Sequence, residues 1–195
     1  MNTFVLATAN AHKADEIRRV LEGFDVELLA RPEGVPEVDE SEETLEGNAL
    51  LKARALMSAT GEAAIADDTG LFVDVLEGRP GVYSARYAGE GATDEDNVTK
   101  ILNELEGVAD ELRGARFRSV IAVAYPDGTS WWVEGVLEGT IGVSPRGRGG
   151  FGYDSVFAPL DLGGTTLAEL APEQKDAISH RGSALRALAE RLSNS

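Results

Sequence analysis

At 195 residues, with 43% hydrophobic and 27% charged content, the chain has the composition of a soluble globular protein, one domain or two closely merged lobes. It has no cysteine, which excludes a disulfide framework, a thiolate metal centre and a cysteine nucleophile. Its net charge of −16 argues against a nucleic-acid polymer as partner, because backbone binding needs a basic stripe. A small anion is still allowed, held where a few cations, a helix N-terminus and a metal ion converge.

The first residues, Met1 to Ala7, lack a basic n-region and a long apolar core, so no signal peptide is expected. No apolar run approaches the roughly 18 residues of a membrane span, so no membrane partner is expected and a cytoplasmic protein is the simplest reading. Thr3 to Ala7 predicts a buried strand, after which Asn10 caps an amphipathic helix reaching about Glu22. Val26 to Leu29 predicts a second strand. An acidic loop, Glu37 to Glu43, leads into a helix from about Thr44 to Thr60, with Leu45, Ala49, Ala53, Leu56 and Met57 as its apolar stripe. A strand ending at Asp67 follows, then a Gly- and Pro-rich loop from Glu77 to Gly91. Thr93-Asp94-Glu95-Asp96 opens a helix to about Leu105. Phe117 to Tyr125 and Ser130 to Thr140 flank Pro126-Asp127-Gly128-Thr129 and predict a β-hairpin. A glycine-rich loop at 147–152 precedes a strand near Val156 to Ala158. Ser179 caps a last helix whose buried face is Ala184, Leu185, Leu188, Ala189 and Leu192, and the tail Ser193 to Ser195 is expected to fray. Helices alternating with strands, followed by a hairpin, predict an α/β protein with a mixed sheet.

Four segments carry possible chemistry, three of them with a plain structural reading beside it. Asp67-Asp68-Thr69-Gly70 follows an apolar run, where a strand end collects ligands and paired acids suit Mg²⁺; the same four residues also favour a simple turn. Thr8-Ala9-Asn10-Ala11-His12-Lys13 lies between a strand and a helix, the usual phosphate-binding place of an α/β unit, but lacks Walker-loop spacing and also reads as an Asn cap with a solvated lysine. Ser179-His180-Arg181 puts two further potential cations at a helix start, where the macrodipole disfavours them unless an anion binds, with Lys175 upstream as a third donor. Gly149-Gly150-Phe151-Gly152-Tyr153-Asp154 sets rings among glycines, for stacking on a nucleobase or for folding back into the core. On the long helix Asn48 and Lys52 share one face, and Asp39 and Glu40 in the acidic loop could add a carboxylate to a metal.

Taken together in this order, these segments, with Asn48-Ala49-Leu50-Leu51-Lys52-Ala53 and Pro80-Gly81-Val82-Tyr83-Ser84-Ala85-Arg86-Tyr87, resemble the inosine triphosphate pyrophosphatase (Ham1-like) family over essentially the whole chain. The resemblance implies an ITPase-like (anticodon-binding-like, Maf/Ham1) fold: one domain over residues 1–195, two α/β lobes around a long mixed sheet with a central cleft. It implies a homodimer and Mg²⁺-dependent hydrolysis of ITP, dITP and XTP to monophosphate and pyrophosphate. It further implies that Thr8, Ala9, Asn10, Ala11, His12 and Lys13 cradle the triphosphate and that Asp68 is the catalytic acid and a metal ligand, with Lys52 and Thr69 beside the substrate. Phe151, Gly152, Tyr153 and Asp154 match the base-binding loop, and Lys175, His180 and Arg181 complete the pocket. The metal segment, usually two glutamates, here reads Asp39-Glu40, so either could join Asp68 at the metal. His180 or Arg181 would donate to a 6-oxo purine. A Maf-like pyrophosphatase and a silent nucleotide-binding module are the rival readings.

Overall fold

The computed structural model describes residues 2–36 and 38–194; Met1, Glu37 of the expected acidic loop and Ser195 of the expected frayed tail lie outside them. The chain forms two compact units: Met1–Asp68 with Ser119–Gly135 and Ser179–Ser195, and Thr69–Arg118 with Val136–Ile178.

In the first unit β1 (Asn2–Leu6) pairs in parallel with β2 (Val26–Leu29) and with β3 (Ala64–Val73). Parallel neighbours need crossovers, and α1 (Ala11–Leu21) and α2 (Leu45–Thr60) provide them. Both helices are capped: Asn10 Oδ1, as its sequence predicts, accepts from Lys13 N–H at 3.1 Å, and Thr44 Oγ1 accepts from Gly47 N–H at 3.0 Å. α5 (His180–Ser193) is capped by Ser179 and packs Ala184, Leu185, Leu188 and Ala189 into a core with Phe4, Leu6, Ile17, Ile65, Ile121 and Val123.

The second unit holds the C-terminal part of β3, β4 (Pro80–Gly81), α3 (Asp94–Glu104), parts of β5 (Gly114–Ala124) and β6 (Ser130–Ile141), β7 (Phe157–Pro159) and α4 (Pro172–Ile178). Its core gathers Leu71, Val73, Ile101, Leu105, Phe117, Ile141, Val156, Phe157 and Leu167. The strands form one mixed seven-stranded sheet in the order β2-β1-β3-β5-β6-β7, with β4 on β3. The predicted hairpin is β5–β6, its turn closed by Tyr125 N–H to the Thr129 carbonyl at 2.9 Å. No described helix is long and apolar enough to cross a membrane.

Two expectations change. The strand predicted to end at Asp67 runs on through Asp67-Asp68-Thr69-Gly70 to Val73, so these residues are extended chain and not a turn. Gly70 permits it: a Cβ there would lie 2.6 Å from the Gly81 carbonyl oxygen on β4, so only glycine lets β4 approach. The loop from Glu77 to Gly91 contains β4 and a short 3₁₀ turn, Ser84–Arg86. α4 is not among the expected elements: its seven residues carry no apolar stripe, and its start is marked only by Pro172 at the first position and Glu173 in the first turn.

Candidate active site

Because β3 continues past the two acids, Asp67 and Asp68 point to opposite faces of the strand. Asp67 Oδ1 accepts from Ser119 Oγ at 2.9 Å and from Arg181 Nε at 3.0 Å; Oδ2 accepts from Lys13 Nζ at 2.6 Å. Burial works to raise its pKa, but Arg181 and Lys13 outweigh burial and hold the carboxyl well below the usual range. Asp67 is a carboxylate surrounded by donors.

Asp68 is the reverse case. Its Oδ1 accepts from Lys52 Nζ at 2.6 Å, while Oδ2 is buried with no hydrogen-bond partner. Burial is the largest influence and pushes the carboxyl up to about 6, against the pull of Lys52 and Lys13 and with the help of Glu40. Lys52 also donates to Glu40 Oε1 at 2.9 Å, and the two acids hold its ammonium above its ordinary pKa despite burial.

The 40–43 segment is held in place by Asn48. Its fully buried side chain accepts from Glu42 N–H at 3.0 Å and donates to the Glu42 carbonyl at 3.3 Å. One helical turn on, Lys52 meets Glu40 and Asp68, so the i, i+4 pair acts from one helix face. Glu40 is the acid brought to Asp68; Asp39 is exposed. No three His, Asp or Glu side chains form a ready metal cage among the described residues. Mg²⁺ does not need one, since it uses one or two carboxylates and keeps waters for phosphate oxygens. The buried, partnerless oxygen of Asp68 and the nearby Glu40 carboxylate fit such an ion.

The segment Thr8 to Lys13 joins β1 to α1 in an exposed cradle. Thr8 Oγ1 accepts from Asn10 N–H at 3.1 Å, and residues 9–12 are exposed at the helix start. Lys13 is the cation of this segment that the fold turns toward the acids. His180 and Arg181 are buried at 3% and 2% exposure at the start of α5. Strand β6 reaches that helix turn through Gly135, where a Cβ would stand 2.1 Å from the His180 carbonyl oxygen.

In the second unit the glycine-rich loop is built around Asp154. Gly150 adopts φ +70°, and a Cβ there would lie 2.0 Å from Asp154 Oδ2. That oxygen accepts from Phe151 N–H at 2.9 Å and from Lys175 Nζ at 2.5 Å, a buried ion pair. Lys175 Nζ also lies 4.7 Å from the centroid of the half-buried Phe151 ring. Gly152 N–H donates to Asp94 Oδ2 at 2.6 Å. The two rings divide: Tyr153 is a core residue whose hydroxyl donates to the Ser84 carbonyl at 2.9 Å, and Phe151 is the ring carried by the loop.

The fold thus gathers Lys13, Lys52, Asp67, Asp68, Glu40 and Arg181 in one unit, and Phe151, Gly152, Asp154 and Lys175 in the other; Thr69 begins the second. Lys175, read as a third donor beside His180 and Arg181, is engaged by Asp154. Sequence reasoning missed Glu16 and Ser119, both buried among the site's charges. A glutamate next to Ile17 on the buried face of α1 was the available signal for the first. A lone serine opening an apolar run was the signal for the second.

A model of the Ham1 family matches residues 4–191. A protein of Geobacter sulfurreducens named dITP/XTP pyrophosphatase is 49% identical over 98% of this chain and 97% of its own. One of the same name from Streptomyces coelicolor is 50% identical over 96% of each. Among solved structures, a HAM1 protein from Coxiella burnetii superposes with a TM-score of 0.90 at 40% identity, covering 100% of both chains. The chain belongs to the Ham1 family.

Proposed function

We propose that this protein is a nucleoside triphosphate pyrophosphatase that hydrolyses non-canonical purine nucleotides, dITP, ITP and XTP, to monophosphate and pyrophosphate. The observation that carries this is Asp68: a buried carboxylate with one oxygen on Lys52 and the other without a partner. A purely structural acid is expected to look like Asp67, saturated by donors. The printed activity of the curated relatives, dITP/XTP pyrophosphatase, supports the same reading.

Asp68, poised near neutrality, orients the attacking water and takes its proton, the general-base role. Asp68 and Glu40 are the residues that would hold Mg²⁺. Held there, Mg²⁺ would supply Lewis-acid stabilisation of negative charge on the phosphate groups. Lys13 and Lys52 supply local positive charge that the acidic chain otherwise lacks, and the positive end of the α1 dipole attracts phosphate oxygens. Phe151 offers the base a stacking face, and His180 donates to the 6-oxo group that separates hypoxanthine and xanthine from adenine. We place the enzyme in the cytoplasm, acting on the free nucleotide pool as a homodimer.

The test is pyrophosphate release from ITP, XTP, GTP, ATP, dTTP and UTP, with and without Mg²⁺. Turnover of ITP and XTP that needs the ion and exceeds the others is expected. Preference for dTTP or UTP overturns the substrate class, and no release from any nucleotide overturns the enzymatic reading.

A further inference from the structure

We infer that Asp94, at the start of α3, is a positioning residue for the base: it ties down the tip of the glycine-rich loop and so holds the Phe151 ring ready for stacking. The inference rests on the pyrophosphatase reading, with Phe151 as its stacking ring.

The first turn of α3 carries three acids, Asp94, Glu95 and Asp96. Negative charge suits that end of the helix dipole, but the cap itself uses Asp96. Its Oδ2 accepts from Thr93 N–H at 2.9 Å, and Thr93 Oγ1 accepts from Asp96 N–H at 3.1 Å, a closed capping box. Asp94 takes a distant partner: its Oδ2 accepts from Gly152 N–H at 2.6 Å, across 58 residues of chain and within the second unit. A carboxylate on a backbone N–H is among the stronger hydrogen bonds. The anchor is firm, because α3 is fixed by Val98 and Ile101 in the core and by the buried Asn97. The Asn97 side chain accepts from Ala88 N–H at 2.8 Å and donates to the Ala85 carbonyl at 3.2 Å.

The loop needs such a hold. Before its tip, Arg148 and Gly149 N–H donate to the Ala168 carbonyl at 3.2 and 2.9 Å; after it, the Tyr153 hydroxyl donates to the Ser84 carbonyl. Phe151 stands between these anchors, flanked by Gly150 and Gly152 at φ +70° and +60°, a backbone with no Cβ to restrict it. Phe151 N–H is held from inside the loop, by Asp154; Asp94 holds the next N–H from a different element. A cavity of about 500 Å³, bordered by Asp94, Glu95, Arg148, Phe151 and Gly152, gives the tip room to move once that bond is cut. A ring free to move must be ordered by the base at an entropic cost, whereas a tethered ring is in place beforehand. Asp94 therefore acts through Phe151 and contributes to affinity for the base, not to the chemistry at Asp68.

Asp94→Ala and Asp94→Asn test this, each alone and combined with Phe151→Ala. Asp94 is exposed and outside the capping box, so both variants keep the fold. In Asp94→Ala the KM for ITP and the inhibition constant of inosine should rise about fivefold, what one net hydrogen bond supplies. The kcat and the inhibition constant of inorganic tripolyphosphate should stay within about twofold, the pattern of lost uniform binding. Asp94→Asn keeps an accepting oxygen and should recover most of the loss. Added to Phe151→Ala, Asp94→Ala should bring no further loss. In the substrate-free protein, NMR relaxation should show the Gly152 amide order parameter falling from about 0.85 to below about 0.6 in Asp94→Ala. An unchanged order parameter, or equal weakening of inosine and tripolyphosphate, overturns the inference. So do a loss in Asp94→Asn as large as in Asp94→Ala, and effects that add fully to those of Phe151→Ala. Failure of the pyrophosphatase reading is separate: wild-type protein would then release no pyrophosphate from ITP, while the Gly152 order parameter would still report on the tether.

Discussion

Replacing Lys52 with glutamine should move the pH at which the enzyme switches on. Lys52 Nζ lies 2.6 Å from Asp68 Oδ1 and 2.9 Å from Glu40 Oε1, and its charge opposes the burial that pushes Asp68 up to about 6. A cation at this range lowers a carboxyl by roughly 1–3 units, so its removal sends Asp68 to roughly 7–9. Asp68 serves as a base only when ionised, so activity is lost as pH falls through this value. In the wild type about nine-tenths of the carboxyl is ionised at pH 7; in Lys52→Gln the fraction is half or less, roughly a tenth for a two-unit shift. The assay is kcat/KM for ITP from about pH 5 to 10, with Mg²⁺ limiting and supplied as its ITP complex, because this parameter then reports the free, metal-free enzyme. The acid limb should move up by at least about one unit, with part of the lost activity recovered in alkali. An unchanged midpoint with a uniform loss at every pH would refute the reasoning and leave Lys52 as a phosphate ligand only.

Asp68→Asn should abolish pyrophosphate release and yet melt higher than wild type at pH 8. Burial holds the folded pKa at about 6, above the ordinary 3.8, so the folded state binds this proton more tightly than the unfolded chain does. The group is neutral to stability below about pH 4, costs progressively more as pH rises to about 6, and costs about 3 kcal/mol above that. The neutral variant escapes the cost, worth several degrees in Tm; a lower Tm at pH 8, or normal turnover, contradicts this. Lys175→Met leaves Asp154 buried without its cation and should cost about 3–5 kcal/mol in urea unfolding. Adding Asp154→Asn should recover much of that, and no recovery would show that the pair is not what was lost. Gly135→Ala places a Cβ 2.1 Å from the His180 carbonyl oxygen and 2.5 Å from Ala184 N, both backbone atoms. Overpacking of about 1–3 kcal/mol should appear as a lower Tm, and an unchanged Tm would mean that β6 and α5 are not in rigid contact there.

Much of this protein can be read from short-range pattern. Asn10, Thr44, Thr93 and Ser179 each begin a helix in the structure because a side-chain oxygen satisfies an N–H that the helix leaves open, a chemistry confined to four residues. The apolar stripe of α5 lies in the core where its spacing puts it, and the hairpin closes at Pro126-Asp127-Gly128-Thr129. The family, too, is legible from the ordered motifs alone, and the match over residues 4–191 agrees.

Other features depend on partners far away in sequence. Asp67-Asp68-Thr69-Gly70 has the composition of a turn, yet it runs extended within β3, with cations on both faces and β4 pairing just beyond it at Leu71 and Phe72. Whether Asp39 or Glu40 approaches Asp68 is settled by Asn48 gripping the Glu42 backbone, a contact that no spacing in the acidic loop announces. Arg181 meets Glu16 165 residues away and Asp67 114 residues away, so its burial between two carboxylates is invisible locally. Residue types and caps determine which groups are available, because they act over one turn of chain. Only the packing of distant elements decides which carboxylate is saturated and which is left buried with a bare oxygen, because that depends on charges and burial contributed from the whole fold.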